Sequence, residues 1–574
     1  NNLNFLNKLI FFFLILSLLD ALGIGLIGPY VSLVIDPNLF RESLSVNSDD
    51  NWNNLSDYNL QIYFSIGIIV IFFLKSLFGI YILWLVASFS YRQQVRLRSR
   101  LMSLYQSMPY IEYVSRNSSE YIYSIGTLAS NYAGKVLMLG LKTISDLLVV
   151  LAIIIVLAYS NPFLLIILLS LLSLVTLTFD RSLKSSIQKY GEEANIASTS
   201  MLKGVNEGIK GMKEIRILGR ERHFFDAVRK GAQAYANANK KTDVLSTIPR
   251  YLIEFLVIAF LALIVIQELV FNGSIDELIP ILAMFGVASL RLVPAIASIT
   301  TGILQVRNQK NTLSLLYKDI KRSENINYTE IKEVDIDSSQ ELFESMNILG
   351  VSYKYSSDTR YAIEDISLEI KKGESIGIIG PSGSGKTTLV DIALGLLQPQ
   401  SGKILVNNKN IYDDLSIFQS QVAYIPQEIF IIDDSLKNNI ALGVKDSNID
   451  DDLLLDVVKK TRLLELIEDL PSGLQTELGE HGVRLSGGQR QRVAIARALY
   501  HKRSVLIMDE ATSALDTQTE REIVDGIKML KGNTTMIVIA HRVNTLEHCD
   551  RIYELKKGKI SRVISYDSLK DKNS

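Results

Sequence analysis

Nine residues, Gly380 to Thr388, read Gly-Pro-Ser-Gly-Ser-Gly-Lys-Thr-Thr and have the makings of a phosphate cradle. Glycines at 380, 383 and 385 let the main chain approach an anion with no Cβ in the way. Amides opening a following helix point at that anion, and the helix dipole favours negative charge there. Ser382, Ser384 and Thr388 add hydroxyls. Lys386 would reach β- and γ-phosphates, and the Thr387 hydroxyl would hold Mg2+. The flanks suit this chemistry: Ser375–Ile379 reads as a buried parallel strand and Leu389–Leu397 as a helix. A chance Gly/Ser turn could give the same string, so its companions decide the matter.

Those companions follow in order. Tyr355, upstream, could stack on a purine. Gln427, after the strand-like Val422–Pro426, can reach a metal or a water through its amide, in a catalytic or metal-holding role. Ser486, Gly487, Gly488 and Gln489 precede a helix over 490–500 and make a second anion site. One nucleotide needs no second γ-phosphate cradle from its own chain. Two chains set head to tail do, which predicts a homodimer with shared sites. Val505–Met508 is an apolar strand ending at Asp509, a metal carboxylate, and Glu510, a general base for water. Asp516 follows in a turn able to meet the partner. His541 ends another apolar strand, on the ligand side of an open α/β sheet, where it could sense the γ-phosphate.

Elements must position these groups. A chain of 574 residues exceeds one core. Formal net charge is −1, which gives no field drawing nucleic acid. The single cysteine, Cys549, excludes an internal disulfide and reads as an idle thiol. The chain starts at Asn1 without methionine, so a trimmed N-terminus is expected. The apolar run from about Leu9 is too long for a signal-peptide core. A helix crosses the bilayer with about 20 apolar residues. Six stretches qualify: Leu9–Ile35, Ile62–Phe89, Val136–Tyr159, Pro162–Phe179, Leu252–Phe271 and Leu278–Ile299. The loop between the first two is acidic, while the segments after the second and fourth spans are rich in Arg and Lys. The positive-inside rule puts the basic segments, and hence the C-terminal half, in the cytoplasm. Both basic segments read as helical continuations of the spans, ending in short turns near Tyr105–Ile111 and Val205–Gly219. The expected division is 1–322 membrane, 323–345 polar tether and 346–574 nucleotide-binding.

Charges inside the spans require partners or water, since a central charge costs about 2.5–3.5 kcal/mol on insertion scales. Lys142 and Asp146, like Arg250 and Glu254, sit four apart on one helix face and can pair. Lys75 and Arg291 have no local partner. Two readings stay open for them: lining a cavity for an anionic substrate, or pairing between helices, for instance with Asp20.

Taken together, Tyr355, 380–388, Gln427, the Leu485–Gln489 signature, Asp509, Glu510, Asp516 and His541 resemble the ATP-binding-cassette family motif by motif. Six spans before one cassette resembles an exporter half-transporter. The resemblance implies an α-helical transmembrane domain of six long helices, a P-loop-type α/β nucleotide-binding domain, and a homodimer. It also implies ATP and Mg2+ as cofactors, two hydrolytic sites and a bacterial inner (plasma) membrane location. The turns near Ile111 and Ile209 then dock on cassettes, and Glu480 matches a loop that meets them. Within the family the chain looks most like the bacterial lipid-linked oligosaccharide flippases, on Ile248–Glu254, Lys75, Leu290–Pro294 and Asp20. Lysine stands at 75 where those carry arginine, so bidentate phosphate binding is lost there. The resemblance implies outward flipping of a polyprenyl-pyrophosphate glycolipid. Export of drugs, other lipids or peptides is the alternative. Soluble cassettes acting on ribosomes or DNA repair lack fused spans, and an ATP-regulated channel would carry ion current without moving substrate.

Overall fold

The computed structural model describes residues 2–35, 37, 56–271, 279–324, 343–355, 360–509, 528, 531–532, 534–540 and 542–573. The chain forms two compact units. One comprises Asn1–Ser107 and Asn117–Tyr328; the other comprises Met108–Arg116 and Thr329–Ser574.

The first unit is helical. Its main elements are α1 (Asn2–Gly25), α2 (Ile27–Ile35), α3 (Asp57–Ser107), and further along α5 (Leu139–Ser160), α6 (Pro162–Lys210), α7 (Met212–Ile217), α8 (Glu221–Phe271), α9 (Ile279–Asn308) and α10 (Lys310–Glu324). The first expected span is broken at Leu26 rather than straight. Pro29 lacks an amide hydrogen, so the Gly25 carbonyl loses its helical partner. Among the described residues five helices are long and apolar enough to cross a membrane, together with a shorter apolar stretch, Pro162–Leu174. That stretch opens the fourth expected span; the side chains at 175–177 lie outside the described residues. Asn161 caps it by accepting the Leu164 amide at 3.1 Å, with Pro162 in the first turn, where a missing donor costs nothing.

Helix lengths carry the chain well past the bilayer. At 1.5 Å per residue α3 is roughly 75 Å long, against a hydrocarbon core of about 30 Å. Packing within the membrane stretch is apolar. Leu9, Phe13 and Leu16 of α1 meet Ile82, Val86 and Phe89 of α3. Val149, Ile153 and Leu157 of α5 join Leu168, Val257, Phe285 and Leu292 in a larger core. Outward-facing Ile69, Phe73, Ile155 and Phe255 stay exposed in the isolated chain, as side chains facing lipid do.

The second unit holds two sheets. Four antiparallel strands run in the order β2-β1-β4-β5, with β1 (Ser345–Tyr353), β2 (Ile363–Lys371), β4 (Ser401–Val406) and β5 (Lys409–Asn410). Six more run β10-β9-β3-β8-β7-β6, with β3 (Ser375–Ile379), β6 (Val422–Ile425), β7 (Val505–Asp509), β8 (Thr535–Ile539), β9 (Arg551–Lys556) and β10 (Lys559–Ile564). Apart from the antiparallel edge strand β10, this sheet is parallel. Every residue of β7 and β8 is buried, as expected of a parallel sheet covered on both faces. Parallel alignment brings the C-terminal ends of β3, β6, β7 and β8 to one edge. The unit also contains α4 (Tyr110–Val114), the turn between the second and third spans.

Candidate functional site

The phosphate loop leaves β3 at Ile379 and enters α11 (Lys386–Ala393), three residues earlier than the apolar pattern predicted. The helix begins there because Gly385 caps it at φ +101°, a conformation costly for any residue with a side chain. A Cβ at 385 would also lie 2.5 Å from the Ala362 carbonyl oxygen. Gly383 is likewise left-handed, at φ +74°.

Within the loop the Lys386 ammonium donates to the carbonyls of Gly380 at 2.9 Å and Pro381 at 3.3 Å. Ser384 is 2% exposed, and its Oγ has no hydrogen-bond partner among the described residues. A buried hydroxyl without a partner, beside a buried ammonium and helix-opening amides, fits a phosphate oxygen. Thr387 is exposed and Thr388 buried. Tyr355, beyond the end of β1, sets its hydroxyl 3.3 Å from Thr388 Oγ1 and its ring edge-on to Tyr353. Ser382 and Gln427 are exposed.

Asp509, at the tip of β7 level with Ile539 of β8, is 7% exposed. Asp391, one turn along α11 from Thr387, faces it. Burial, and then the Asp509 charge, push the Asp391 carboxyl up to about 6. Burial first, then the charges of Asp509 and Asp391, raise the Tyr424 phenol on β6. Sequence reasoning missed Asp391 and Tyr424. The available signals were the four-residue spacing from Thr387 and the two-residue alternation of β6. The donor set of Thr387, Gln427 and Asp509, all oxygen ligands, suits Mg2+. Glu510, Asp516 and His541 lie outside the described residues.

The signature segment opens α12 (Gly487–Tyr500). Ser486 Oγ accepts the Gln489 amide at 3.2 Å, and Gln489 Oε1 accepts the Ser486 amide at 2.7 Å. This capping box fixes the helix start and leaves the Gly487 and Gly488 amides at the positive end of the dipole. Leu485 and Val493 pack into a different core from that under the phosphate loop. Within one chain the two anion sites therefore stand on separate supports.

In the membrane unit Lys75 and Arg291 meet between helices, at Asp20. Both are ion-paired with Asp20: Arg291 Nη2 lies 3.2 Å from Oδ2, and Lys75 Nζ meets Oδ1. Asp20 is fully buried, while Lys75 is 17% and Arg291 38% exposed. Asp146 lies in the field of Lys142 and Arg291. Arg250 and Glu254 pair on α8 at 2.8 Å, as their spacing predicts.

Residues 363–513 match the family model described as ABC transporter. A solved bacterial Atm1-family ABC exporter with ATP bound superposes with a TM-score of 0.78 over 99% of this chain and 97% of that one, at 20% identity. The fold is that of an ABC exporter, and residues 363–513 are its ABC transporter domain. An ATP-dependent lipid A-core flippase of Ralstonia nicotianae is 39% identical over 225 residues, which is 39% of this chain and 38% of that protein. A protein of the same description from Bordetella avium is 28% identical over 428 residues, 73% of this chain and 70% of that one. The first match thus spans well under half of its relative's length. The helices long and apolar enough to cross a membrane and the basic segments fit a multi-pass inner-membrane protein with a cytoplasmic ABC domain.

Proposed function

We propose that two copies of this half-transporter form an ATP-hydrolysing flippase or exporter of an amphipathic anionic lipid. The observation carrying the ATPase reading is the pair of anion cradles, the phosphate loop and the signature, on separate cores of one domain. Each cradle then completes the partner's site. Lys386, Ser384 and the loop amides bind the phosphates, and Tyr355 takes the base. Thr387, Gln427 and Asp509 would hold Mg2+, which supplies charge neutralisation between β- and γ-phosphates. Glu510 orients the attacking water and accepts its proton, with His541 holding the γ-phosphate and Asp516 meeting the partner chain. Closure of the two domains pulls on α4 and α7, and so on the helices that cross the membrane. Ile217 and Leu218, both exposed at the end of α7, suit docking on the partner.

The passenger we propose is a polyprenyl-pyrophosphate glycolipid. Lys75, Lys142 and Arg291 outnumber Asp20 and Asp146, so the charges around buried Asp20 leave a positive surplus. Arg291 Nε is buried without a hydrogen-bond partner among the described residues. A pyrophosphate would compete with Asp20 for Lys75 and Arg291, one as a point charge and the other through its planar fork. A lipid passenger also agrees with the names of the two relatives.

The test is reconstitution in liposomes with a fluorescent polyprenyl-pyrophosphate glycan. ATP-dependent protection of the label is expected. Replacing Lys75 and Arg291 by Gln together with Asp20 by Asn, so that no buried charge is left unpaired, should spare basal ATP turnover and abolish movement. Undiminished flipping by that triple variant would remove the glycolipid reading and leave a drug or peptide exporter.

A further inference from the structure

The cytoplasmic ends of α1 and α3 carry two cations, Lys8 and Arg92, just outside the first and second apolar spans. Residues 1–19 and 58–111 contain no Asp or Glu. Both cations are exposed, and among the described residues neither meets a carboxylate. The negatively charged surface of the cytoplasmic leaflet lies at this depth.

The two helices pack antiparallel here. Phe5 stacks on Phe89 at 5.0 Å, and Phe12 meets Phe78 edge-on at 5.9 Å. Lys8 follows Phe5 by about one turn, and Arg92 follows Phe89 by about one turn, so Lys8 starts deeper in the bilayer than the stacked rings and Arg92 shallower. Side chains lean toward the N-terminus of their own helix, and on antiparallel helices these two lean toward each other. Arg92 shows the lean directly. Its guanidinium lies 5.7 Å from the centre of the Phe5 ring, and its Nε donates to the Ser88 carbonyl at 3.1 Å. Those contacts hold the planar fork and leave Nη1 and Nη2 with no acceptor among the described residues.

Counted around each helix from the Phe5–Phe89 contact, Lys8 and Arg92 turn to the same side, the one that also exposes Phe11 and Trp84. Deeper on that side Tyr81 stands 6.1 Å from Phe12 and 6.3 Å from Trp84, forming an aromatic floor. We propose that this crevice binds an acidic glycerophospholipid of the cytoplasmic leaflet, with its phosphate between Lys8 and Arg92 and an acyl chain along Phe12, Tyr81 and Trp84. Charge complementarity and depth name the occupant. The site is separate from the charges around Asp20, which lie further along α1, inside the span.

Brominated lipids test it, because bromine quenches tryptophan on contact. The chain has two tryptophans, and Trp52→Phe leaves Trp84, at the crevice, as the reporter. The full chain with that change is reconstituted in vesicles of phosphatidylglycerol and phosphatidylcholine, with bromine on one lipid and then on the other. Phosphatidylglycerol should be preferred at Trp84 by about fivefold or more, the weight of one interfacial cation. Adding Lys8→Gln and Arg92→Gln, both at exposed side chains, should abolish the preference. Phe5→Leu keeps both charges and removes the ring beneath Arg92; it should weaken the preference about twofold. Inorganic phosphate at matched ionic strength should leave the parent preference in place; competition by it would make this a bare phosphate site and overturn the lipid assignment. Equal quenching by the two lipids in the parent overturns the proposal, as does a preference that survives the double substitution. Quenching by neither lipid would mean that a second copy of the chain covers this face, and overturns it equally.

Discussion

Arg291 reaches across 271 residues of sequence to place Nη2 3.2 Å from the Oδ2 of Asp20, a carboxylate with no exposed surface. This pair, with Lys75 on the other oxygen, ties α1, α3 and α9 together inside the membrane. Breaking a buried pair by removing one partner leaves an uncompensated charge and costs about 3–5 kcal/mol. Asp20→Asn strands two cations and should lower the unfolding midpoint sharply in detergent. Asp20→Asn combined with Lys75→Met and Arg291→Met should recover much of the loss. A single variant as stable as the parent would show that water, not Asp20, neutralises these cations.

Glu510→Gln keeps size and removes the proton acceptor. ATP turnover should fall by a factor of about 100 or more, the usual span of general-base catalysis, with nucleotide affinity retained. Single-turnover phosphate release and analogue binding read the two quantities separately. Turnover close to that of the parent would displace Glu510 as the base.

Cysteines placed near Ser384 and near Ser486 should cross-link between chains and not within one, in the presence of ATP analogue. The native thiol does not interfere. Burial, reinforced by Asp550, pushes Cys549 up to about 12, so it stays protonated and unreactive. A cross-linked species migrating as a monomer contradicts the head-to-tail site.

Glu374 offers a pH test away from the nucleotide. Burial alone would raise its carboxyl, but Arg551 Nε at 2.6 Å and the Lys371 amide at 2.9 Å outweigh that and hold it below the usual range. A depressed folded pKa contributes stability above the unfolded value, near 4.3, and that contribution vanishes as pH falls through the folded value. Glu374→Gln should therefore cost about 1 kcal/mol at pH 7, discounted because Arg551 is 38% exposed, and almost nothing below the folded pKa. Thermal melts of both proteins across that range would show the gap closing in acid; a gap constant with pH would mean the loss is one of packing.

Local pattern was enough for the elements. The strand before the phosphate loop, Ser375–Ile379, was legible to the residue because an unbroken apolar run ends at glycine. The long helices were legible because their apolar stretches match the hydrocarbon thickness. The position of the Leu26 break was not, since the same apolar composition continues through Pro29.

What sequence alone determined here is chemistry bound to short spacing. The phosphate loop, the capping box from Ser486 to Gln489 and the pair Arg250–Glu254 depend on neighbours within a few residues, and backbone geometry fixes those neighbours. What only the tertiary structure decided is which distant charges meet. Asp20 was a candidate partner for Lys75 and Arg291, but open cavity and ion pair have the same sequence. Helix packing chose the pair, because a carboxylate sealed from water must be neutralised by whatever cations the neighbouring helices bring to it. The placing of Tyr424 opposite Ile507, on the face of Asp509, likewise has no local signal, because strand register produces it.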